Sequence, residues 1–484
     1  MNNTNSISNI EVGKYILDTI SVGMYNQPLM LYREYIQNSV DSIDSSVDDL
    51  IDFEHKIKVE IDGFERNVVI EDTGIGISQK NAWSILHDLG NSKKMNDIQR
   101  GFRGIGRLGG LGYCDKLSFS TKARGEDVLS ISEWDCVKLR KLINNRDISI
   151  NVVDLIKDIT KFSQQKYKGK NGDHFFKVGM KNVKSTQDIL LDVPNAKSYI
   201  SQVCPVPFNK GDFSFSQEID NYLRKNIPYY KTYNIYVNGE QIFKPYKNEI
   251  EVGSKSKDRV KEIHYLDFQN GNGKLAYGWI GKVNLLGALK RNSGIEGIRV
   301  RCGNIMLGDN EYFSNFYRES RFNNYVLGEI HIVDDKLIPN SRRDDFEDNE
   351  IKEEFFTHFI KEIGLPVSRK IRIASIERGN NKKNTECMKL IKEAQKIIDK
   401  GYLAKAQKEE ILKFLLAQRA EDNDVYDNEK IDLIIKNLKQ SKHILDNYGK
   451  TKNQKMFKNI SEVIYRECSN KVEALKIIGK IIKK

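Results

Sequence analysis

The stretch RGFRGIGRLGGLGYCDKLSFSTK (100–122) combines a dense run of glycines with an alternating segment, KLSFSTK, that predicts a strand. Glycines before or at a helix N-terminus free successive N–H groups to bind phosphate oxygens. The stretch is not a Walker loop, because GxxxxGK[ST] is missing, and it also lacks the strand-then-GxGxxG order of a dinucleotide fold. By itself it indicates only a loop suited to phosphate, built on Gly101, Gly104, Gly106, Gly109, Gly110 and Gly112.

A predicted helix, LMLYREYIQNSVDSID (29–44), places Glu34, Asn38 and Asp41 at positions i, i+4 and i+7, which forms a single polar stripe. The opposite face is apolar and can pack against a sheet; it carries Leu31, Tyr35, Ile36, Val40 and Ile43. Solvated helices commonly expose such a stripe, so this pattern alone does not identify a site.

A third element begins with the β-like run NVVIE (67–71), which leads directly into Asp72, Thr73, Gly74, Ile75 and Gly76. A carboxylate at a strand end can accept hydrogen bonds from an exocyclic amine, and alternate glycines let the backbone approach a flat ligand. An ordinary turn would use the same residues.

In this order and at these separations, the three elements resemble the GHKL ATPase superfamily, named for gyrase, the ninety-kilodalton heat-shock chaperone, histidine kinases and MutL. Residues 17–44 are similar to the first nucleotide-binding helices of the heat-shock chaperones, and residues 101–122 are similar to their phosphate loop and following strand. The segment GNSKK (90–94) falls where that family and the MORC ATPases carry a lid. The resemblance covers about residues 10–350 and is closest over the first 125.

The resemblance implies a role for each of these residues. Glu34 would be the general base that deprotonates the attacking water, and Asn38 would present its amide oxygen to Mg²⁺. Asp41 would support the helix or a water network, and Asp72 would accept the adenine amino hydrogen. The remaining nucleotide contacts would be Gly74 and Gly76 near the base, Ser92 and Lys93 in the lid, and the N–H groups of Gly101, Gly104 and Gly106 at the phosphates.

Glu34 also separates the branches of this superfamily. Histidine kinases resemble the pattern but lack that glutamate, and they place the ATP domain after a phosphoacceptor helix, so hydrolysis is expected rather than phosphotransfer to histidine. One departure concerns a Gly-Thr pair that relatives carry in a later strand. The equivalent segment here, NGDHFFKVGMKNV (171–183), has no threonine, which leaves the adenine contacts near that strand open.

The later run DDKLIPNSRRDDFED (334–348) resembles the loop by which the transducer domain of heat-shock chaperones and MORC-like ATPases reaches the γ-phosphate. An arginine there would stabilise charge on the transferred phosphoryl group. We expect Arg342 to fill this role, with Arg343 second. Surface arginines that pair with Asp344 and Asp345 are the alternative.

These observations predict an α+β protein of three regions. Residues 1–195 would form a GHKL ATP-binding α/β sandwich, residues 196–370 a transducer-like α+β domain, and residues 371–484 a basic helical region. In the last region, apolar residues recur at three- and four-residue spacing. The segment YISQVCPVPFNKG (199–211) suits a linker or hinge.

The net charge of +11 is concentrated towards the C-terminal end, where residues 381–484 hold 24 Lys or Arg and 15 Asp or Glu. Such asymmetry favours a polyanionic partner, although solvated lysines on helix surfaces would produce it too. Six scattered cysteines without a CxxC pair disfavour a zinc site and a disulfide framework. The sequence contains neither a membrane-spanning apolar run nor a secretory signal at its start, so a cytoplasmic location is expected.

The resemblance therefore implies an ATPase that uses ATP and Mg²⁺ as a conformational switch, with dimerisation of the ATP domains when ATP is bound. The expected target is nucleic acid, through the basic C-terminal region, in a setting such as bacterial genome defence. A chaperone or assembly factor acting on protein clients is the first alternative. An ATP-sensing regulatory subunit of a partner protein is the second.

Overall fold

A computed structural model describes residues 12–21, 27–46, 55–89, 106–170, 172–253, 256–271, 273–291, 293–420, 428–448 and 452–483. The chain divides into two compact units, Met1–Ile371 and Arg372–Lys484. Nucleotide-site residues predicted from the sequence, where described, all belong to the first unit.

The first unit contains a large, mostly antiparallel sheet. Its strands are β1 (Lys56–Asp62), β2 (Asn67–Asp72), β3 (Cys114–Lys122), β4 (Val128–Asp135), β5 (Thr160–Lys166), β6 (Phe175–Val183), β7 (Asn234–Val237) and β8 (Glu240–Gln241). They lie in the order β5-β4-β3-β6-β2-β1-β7-β8. Among these described strands, only β1 and β7 pair in parallel, with Lys56 opposite Asn234. Successive side chains of β1 point to opposite faces of the sheet, and this alternation buries Ile57, Val59 and Ile61.

Helices cover this sheet. They are α1 (Tyr15–Ser21), α2 (Met30–Asp44), α3 (Gln79–His87), α4 (Cys136–Asn144), α5 (Val152–Ile159) and α6 (Val193–Val203), together with 3₁₀ helices at Gly106–Gly112 and Ser185–Leu190. The next helix, α7 (Ser216–Asn226), packs instead against the second sheet through Ile219 and Leu223. The apolar face predicted for α2 is buried in the same core as Ile57, Val59 and Ile70 of the sheet. Burial of that face fixes the rotation of α2 and so the direction of its polar stripe.

The rest of the first unit is built on a second sheet. The strands of this region are β9 (Glu249–Val252), β10 (Ser256–Arg259), β11 (Glu262–Asn270), β12 (Gly273–Lys282), β13 (Gly297–Cys302), β14 (Ile305–Leu307) and β15 (Leu327–Ile332). Strands β9 and β10 form a separate hairpin, and the other five lie in the order β11-β12-β15-β13-β14. Short 3₁₀ helices (Ser314–Phe316 and Ser320–Tyr325), helix α8 (Glu350–Phe359) and a π-helical turn (Ile360–Gly364) precede the long helix α9 (Leu365–Lys400).

The second unit is helical. After the end of α9 it contains α10 (Lys405–Ala420), α11 (Asn428–Gln440), a 3₁₀ turn (Ile444–Tyr448), α12 (Lys452–Glu467) and α13 (Lys471–Lys483). Two small apolar clusters hold it together, one centred on Ile411 and Leu415 and the other on Tyr465 and Ile478.

The predicted mixed architecture with a helical C-terminal region is confirmed. Strands β7 and β8 come from the region assigned by sequence to the second domain, yet they complete the first sheet. In the part of the chain that the structure covers, no helix combines the length and apolar character needed to cross a membrane.

Candidate active site

Two arginines surround the carboxylate of Glu34, which lies in the second turn of α2 with its side chain 12% exposed. Arg33 donates to Glu34 Oε1 from Nε at 3.3 Å and from Nη2 at 3.2 Å. Arg343 Nε lies 3.8 Å from the same oxygen. Because all three groups are largely shielded from water, these attractions are screened less than those of surface ion pairs.

Arg343 reaches Glu34 from a tight loop beside the second sheet. This loop, residues 340–345, is called the arginine loop. Asn340 N donates to Asp345 O at 2.8 Å, Arg343 N donates to Asn340 O at 3.1 Å, and Gly308 N donates to Arg343 O at 2.9 Å. Arg343 has a positive φ of 56°, a conformation that a non-glycine residue keeps only when its surroundings enforce it. These hydrogen bonds therefore hold the loop that carries Arg343 in a specific backbone conformation.

The structure places the guanidinium of Arg343, rather than that of Arg342, next to Glu34. The Arg342 side chain is exposed, and its backbone carbonyl accepts a hydrogen bond from Arg33 Nη2 at 3.2 Å. Burial lowers the pKa of Arg343, while Glu34 and Asp41 act in the opposite direction. The sequence ranks Arg342 first, whereas this geometry favours Arg343.

The other two members of the stripe follow Glu34 along α2. Asn38 is half-buried, and no described residue forms a hydrogen bond with its side chain. Asp41 is buried, and its negative charge acts on Arg343. The stripe thus presents a carboxylate paired with arginines, an amide and a second carboxylate on one side of the helix.

Asp72 ends β2 in a fully buried position. Its Oδ1 accepts a hydrogen bond from Gly74 N at 2.9 Å, and Ser39 and Ser42 of α2 also donate to the carboxylate. Burial raises the pKa of Asp72 to about 7, although these three donors lower it. Its Oδ2 has no hydrogen-bond partner among the described residues, so a buried acceptor remains for an N–H donor.

The two glycines after Asp72 are required by the packing of the protein itself. A Cβ on Gly74 would overlap Ser42 of α2, and a Cβ on Gly76 would overlap the backbone carbonyl of Lys122 at the end of β3. Gly76 also has a positive φ of 69°, which favours glycine. These contacts bring the turn close to α2 and to β3.

The end of the glycine-dense stretch is attached to α2 by Tyr35. Residues Gly106–Gly112 form a 3₁₀ helix, in which Gly110 N donates to Tyr35 Oη at 2.9 Å. The same hydroxyl donates to Arg107 O at 3.2 Å. Of the predicted phosphate and lid residues, Gly106 lies in this helix, whereas Ser92, Lys93, Gly101 and Gly104 lie outside the described residues.

Residues 31–165 match the family model for histidine kinase-, DNA gyrase B- and HSP90-like ATPases. This chain carries a GHKL ATPase domain. Relatives similar to it include the chaperone protein HtpG of Clostridium perfringens, 32% identical over 132 residues, and that of Bacillus licheniformis, 30% identical over 141 residues. These matches span 24% and 25% of this chain and only 21% and 22% of the respective relatives.

Sequence reasoning missed several residues that shape this GHKL domain. Arg33 bridges Glu34 and the arginine loop, and Ser39 and Ser42 donate to Asp72. The two serines stand at i and i+3 on the predicted helix, a spacing that indicates a shared face. His174 lies in the segment 171–183, which has no threonine, and its Nδ1 lies 2.7 Å from Gly74 O. A polar side chain therefore does contact the turn after Asp72.

Proposed function

We propose that this chain binds and hydrolyses ATP and that the reaction acts as a switch between its two sheets. The observation that carries the proposal is the convergence of Glu34, on a helix of the first sheet, with Arg343, on a loop beside the second. A group that senses the terminal phosphate from the second sheet can couple the state of the nucleotide to the arrangement of that sheet.

The donor set suits adenine nucleotide and Mg²⁺. The buried Oδ2 of Asp72 fits the exocyclic amine of adenine, because that amine donates and a carboxylate accepts. Asn38 offers a half-buried amide oxygen, a ligand type that Mg²⁺ accepts. When bound, Mg²⁺ would supply charge neutralisation at the phosphates.

In the proposed reaction, Glu34 accepts the proton of the attacking water, and Arg343 stabilises charge on the transferred phosphoryl oxygens. Glu34 must be available to the water and Arg343 to the phosphate, and the contact between the two side chains opposes both. Phosphate binding would therefore separate the pair, which gives the switch a local trigger.

The decisive test is Glu34→Ala, measured by phosphate release and by calorimetric titration with ATP and Mg²⁺. Loss of a general base should lower kcat by about 10²- to 10⁴-fold, while the affinity for ATP stays within about threefold because adenine recognition lies at Asp72. Glu60→Ala, on the exposed side of β1, is the matched control. Normal hydrolysis by Glu34→Ala would show that another group acts as the base.

We further propose that nucleic acid is the target of the switch, through the second unit. Four exposed lysines follow one face of α9 at three- and four-residue spacing: Lys389, Lys392, Lys396 and Lys400. Such a row matches a phosphate backbone electrostatically.

Binding of the full chain to labelled duplex DNA, single strands and RNA at several salt concentrations tests this target. Changing the four lysines to Gln should weaken binding and reduce the salt slope by up to about 0.9 per lost phosphate contact on DNA. The control is the same change to Gln at four lysines that are exposed on the first sheet: Lys58, Lys161, Lys166 and Lys181. Salt-insensitive or undetectable binding by the wild type would contradict the proposal.

The similarity to HtpG supports a second candidate, a chaperone acting on protein clients. ATP-dependent suppression of the aggregation of a heat-denatured protein, without an effect of nucleic acid on ATPase rate, would favour it. In either role we propose that ATP promotes a homodimer. Sedimentation of Glu34→Ala with and without ATP would reveal the change in mass.

A further inference from the structure

Helix α2 is held at its C-terminal end as well as at Glu34. Asp44, its last residue, accepts a hydrogen bond at Oδ1 from Tyr233 Oη at 2.6 Å. Lys231 Nζ lies 3.2 Å from the same oxygen. Tyr233 is buried and the Asp44 side chain is 14% exposed, so their hydrogen bond is shielded, whereas the Lys231 side chain is 43% exposed. The cation also suits the negative end of the helix dipole.

Both partners of Asp44 belong to the segment between α7 and β7, and this segment is attached to the second sheet. Asn304, in the turn between β13 and β14, donates from Nδ2 to Lys231 O at 2.7 Å. Arg301 Nη1 in turn donates to Asn304 O at 3.2 Å, and Arg301 Nη2 pairs with Glu329 at 2.7 Å in a fully buried position. Contacts are therefore continuous from Asp44 to strands β13 and β15.

The two ends of α2 thus meet two segments that are both attached to the second sheet, although Tyr233 itself lies in the core of the first sheet, directly before β7. Glu34 meets the arginine loop, and ten residues later, roughly 15 Å along the helix axis, Asp44 meets the segment fastened by Asn304. The two parts are themselves joined, because Gly308 N, just after β14, donates to Arg343 O. A helix fixed at both ends moves as one body, so the position of Asp44 sets the position of Glu34 relative to Arg343.

We infer that Asp44 is a positioning residue for hydrolysis, acting through Tyr233 and Lys231 on the distance between Glu34 and Arg343. This inference rests on the proposed ATPase function. Small displacements of reacting groups have large effects on rate. Ser39 and Ser42 of the same helix donate to Asp72, so loss of the Asp44 contact should also weaken recognition of the base, but by a smaller factor than it lowers kcat.

Tyr233→Phe tests the inference, since it removes one hydroxyl and keeps the buried ring. We expect kcat to fall about tenfold and the Kd for ATP to change by a smaller factor. Asp44→Asn keeps an acceptor for Tyr233 but loses the charge that pairs with Lys231. It should lower kcat by less than Tyr233→Phe does. Asp44→Ala combined with Tyr233→Phe should be no slower than Asp44→Ala alone, because both changes remove the same contact.

Tyr230→Phe is the matched control, because Tyr230 Oη donates to a different aspartate, Asp220, at 2.9 Å. Unfolding temperatures of all variants separate loss of rate from loss of stability. Tyr233→Phe with wild-type kcat, or a fall in kcat matched by Tyr230→Phe, would overturn the inference while leaving the ATPase proposal intact. A wild-type protein that neither binds nor hydrolyses ATP would instead remove both.

Discussion

Asp72 shows how burial and hydrogen bonding oppose each other at a single residue. Three donors, Gly74 N and the hydroxyls of Ser39 and Ser42, favour the charged carboxylate, yet desolvation has the larger effect and raises the pKa to about 7. Near neutral pH the group therefore exchanges readily between its neutral and charged forms. An N–H donor at Oδ2 would favour the charged form.

We expect this raised pKa to make stability depend on pH. The folded pKa lies above the ordinary value of 3.8, so the contribution of Asp72 to stability is complete below about pH 4 and is lost as the pH rises through 7. Compared with Asp72→Asn, the wild type should lose about 3 kcal/mol of unfolding free energy between pH 5 and pH 8. Urea unfolding of both proteins at the two pH values measures this difference, and parallel profiles would contradict it.

The two arginines of the loop should differ strongly in their effect on hydrolysis. Arg343→Ala removes the cation next to Glu34 and should reduce kcat by about 10²-fold or more. Arg342→Ala keeps the backbone carbonyl that Arg33 contacts and removes only an exposed side chain, so it should retain wild-type kcat within about threefold. Steady-state rates at saturating ATP compare the two, and a larger loss for Arg342→Ala would reverse the assignment.

At the level of elements, the turn after β2 is defined by close packing on both sides. Gly76→Ala would place a methyl group against the Lys122 carbonyl and force an unfavourable φ. We expect it to lower the unfolding free energy by about 2 kcal/mol or more and to weaken ATP binding. Gly63→Ala is the control, because a Cβ there meets nothing within 4 Å and its φ is not positive. Equal melting temperatures for the two variants would contradict this account.

The sequence predicts such local elements well, because they depend on short-range patterns. The helix carrying Glu34, the strand before Asp72 and the glycine-rich segment all follow from periodicity and composition. Contacts between distant segments do not follow in the same way. The contact of Glu34 with Arg343 rather than with Arg342 depends on a positive φ within a turn, and the contact of His174 with Gly74 spans 100 residues.

At the level of the whole first unit, the two sheets share one helix. Glu34 contacts the arginine loop beside the second sheet, and Asp44 contacts the segment that leads from α7 into β7. The candidate site is therefore assembled from segments more than 300 residues apart in sequence. The order of domains predicts that the arginine loop reaches the first domain. It does not predict where along α2 the loop lies, because that depends on how the sheets pack.

The parallel pairing of β1 with β7 has a practical consequence for dissecting the protein. A fragment ending at residue 195 would lack Ile235 and Val237, which are fully buried in the first core, and would leave β1 as an unprotected edge. We expect that fragment to aggregate, whereas one ending at residue 371 should remain monodisperse in light scattering. Good behaviour of the shorter fragment would contradict this. The piece of the chain that completes the first sheet therefore extends well past residue 195, and β7 is supplied only after about forty further residues.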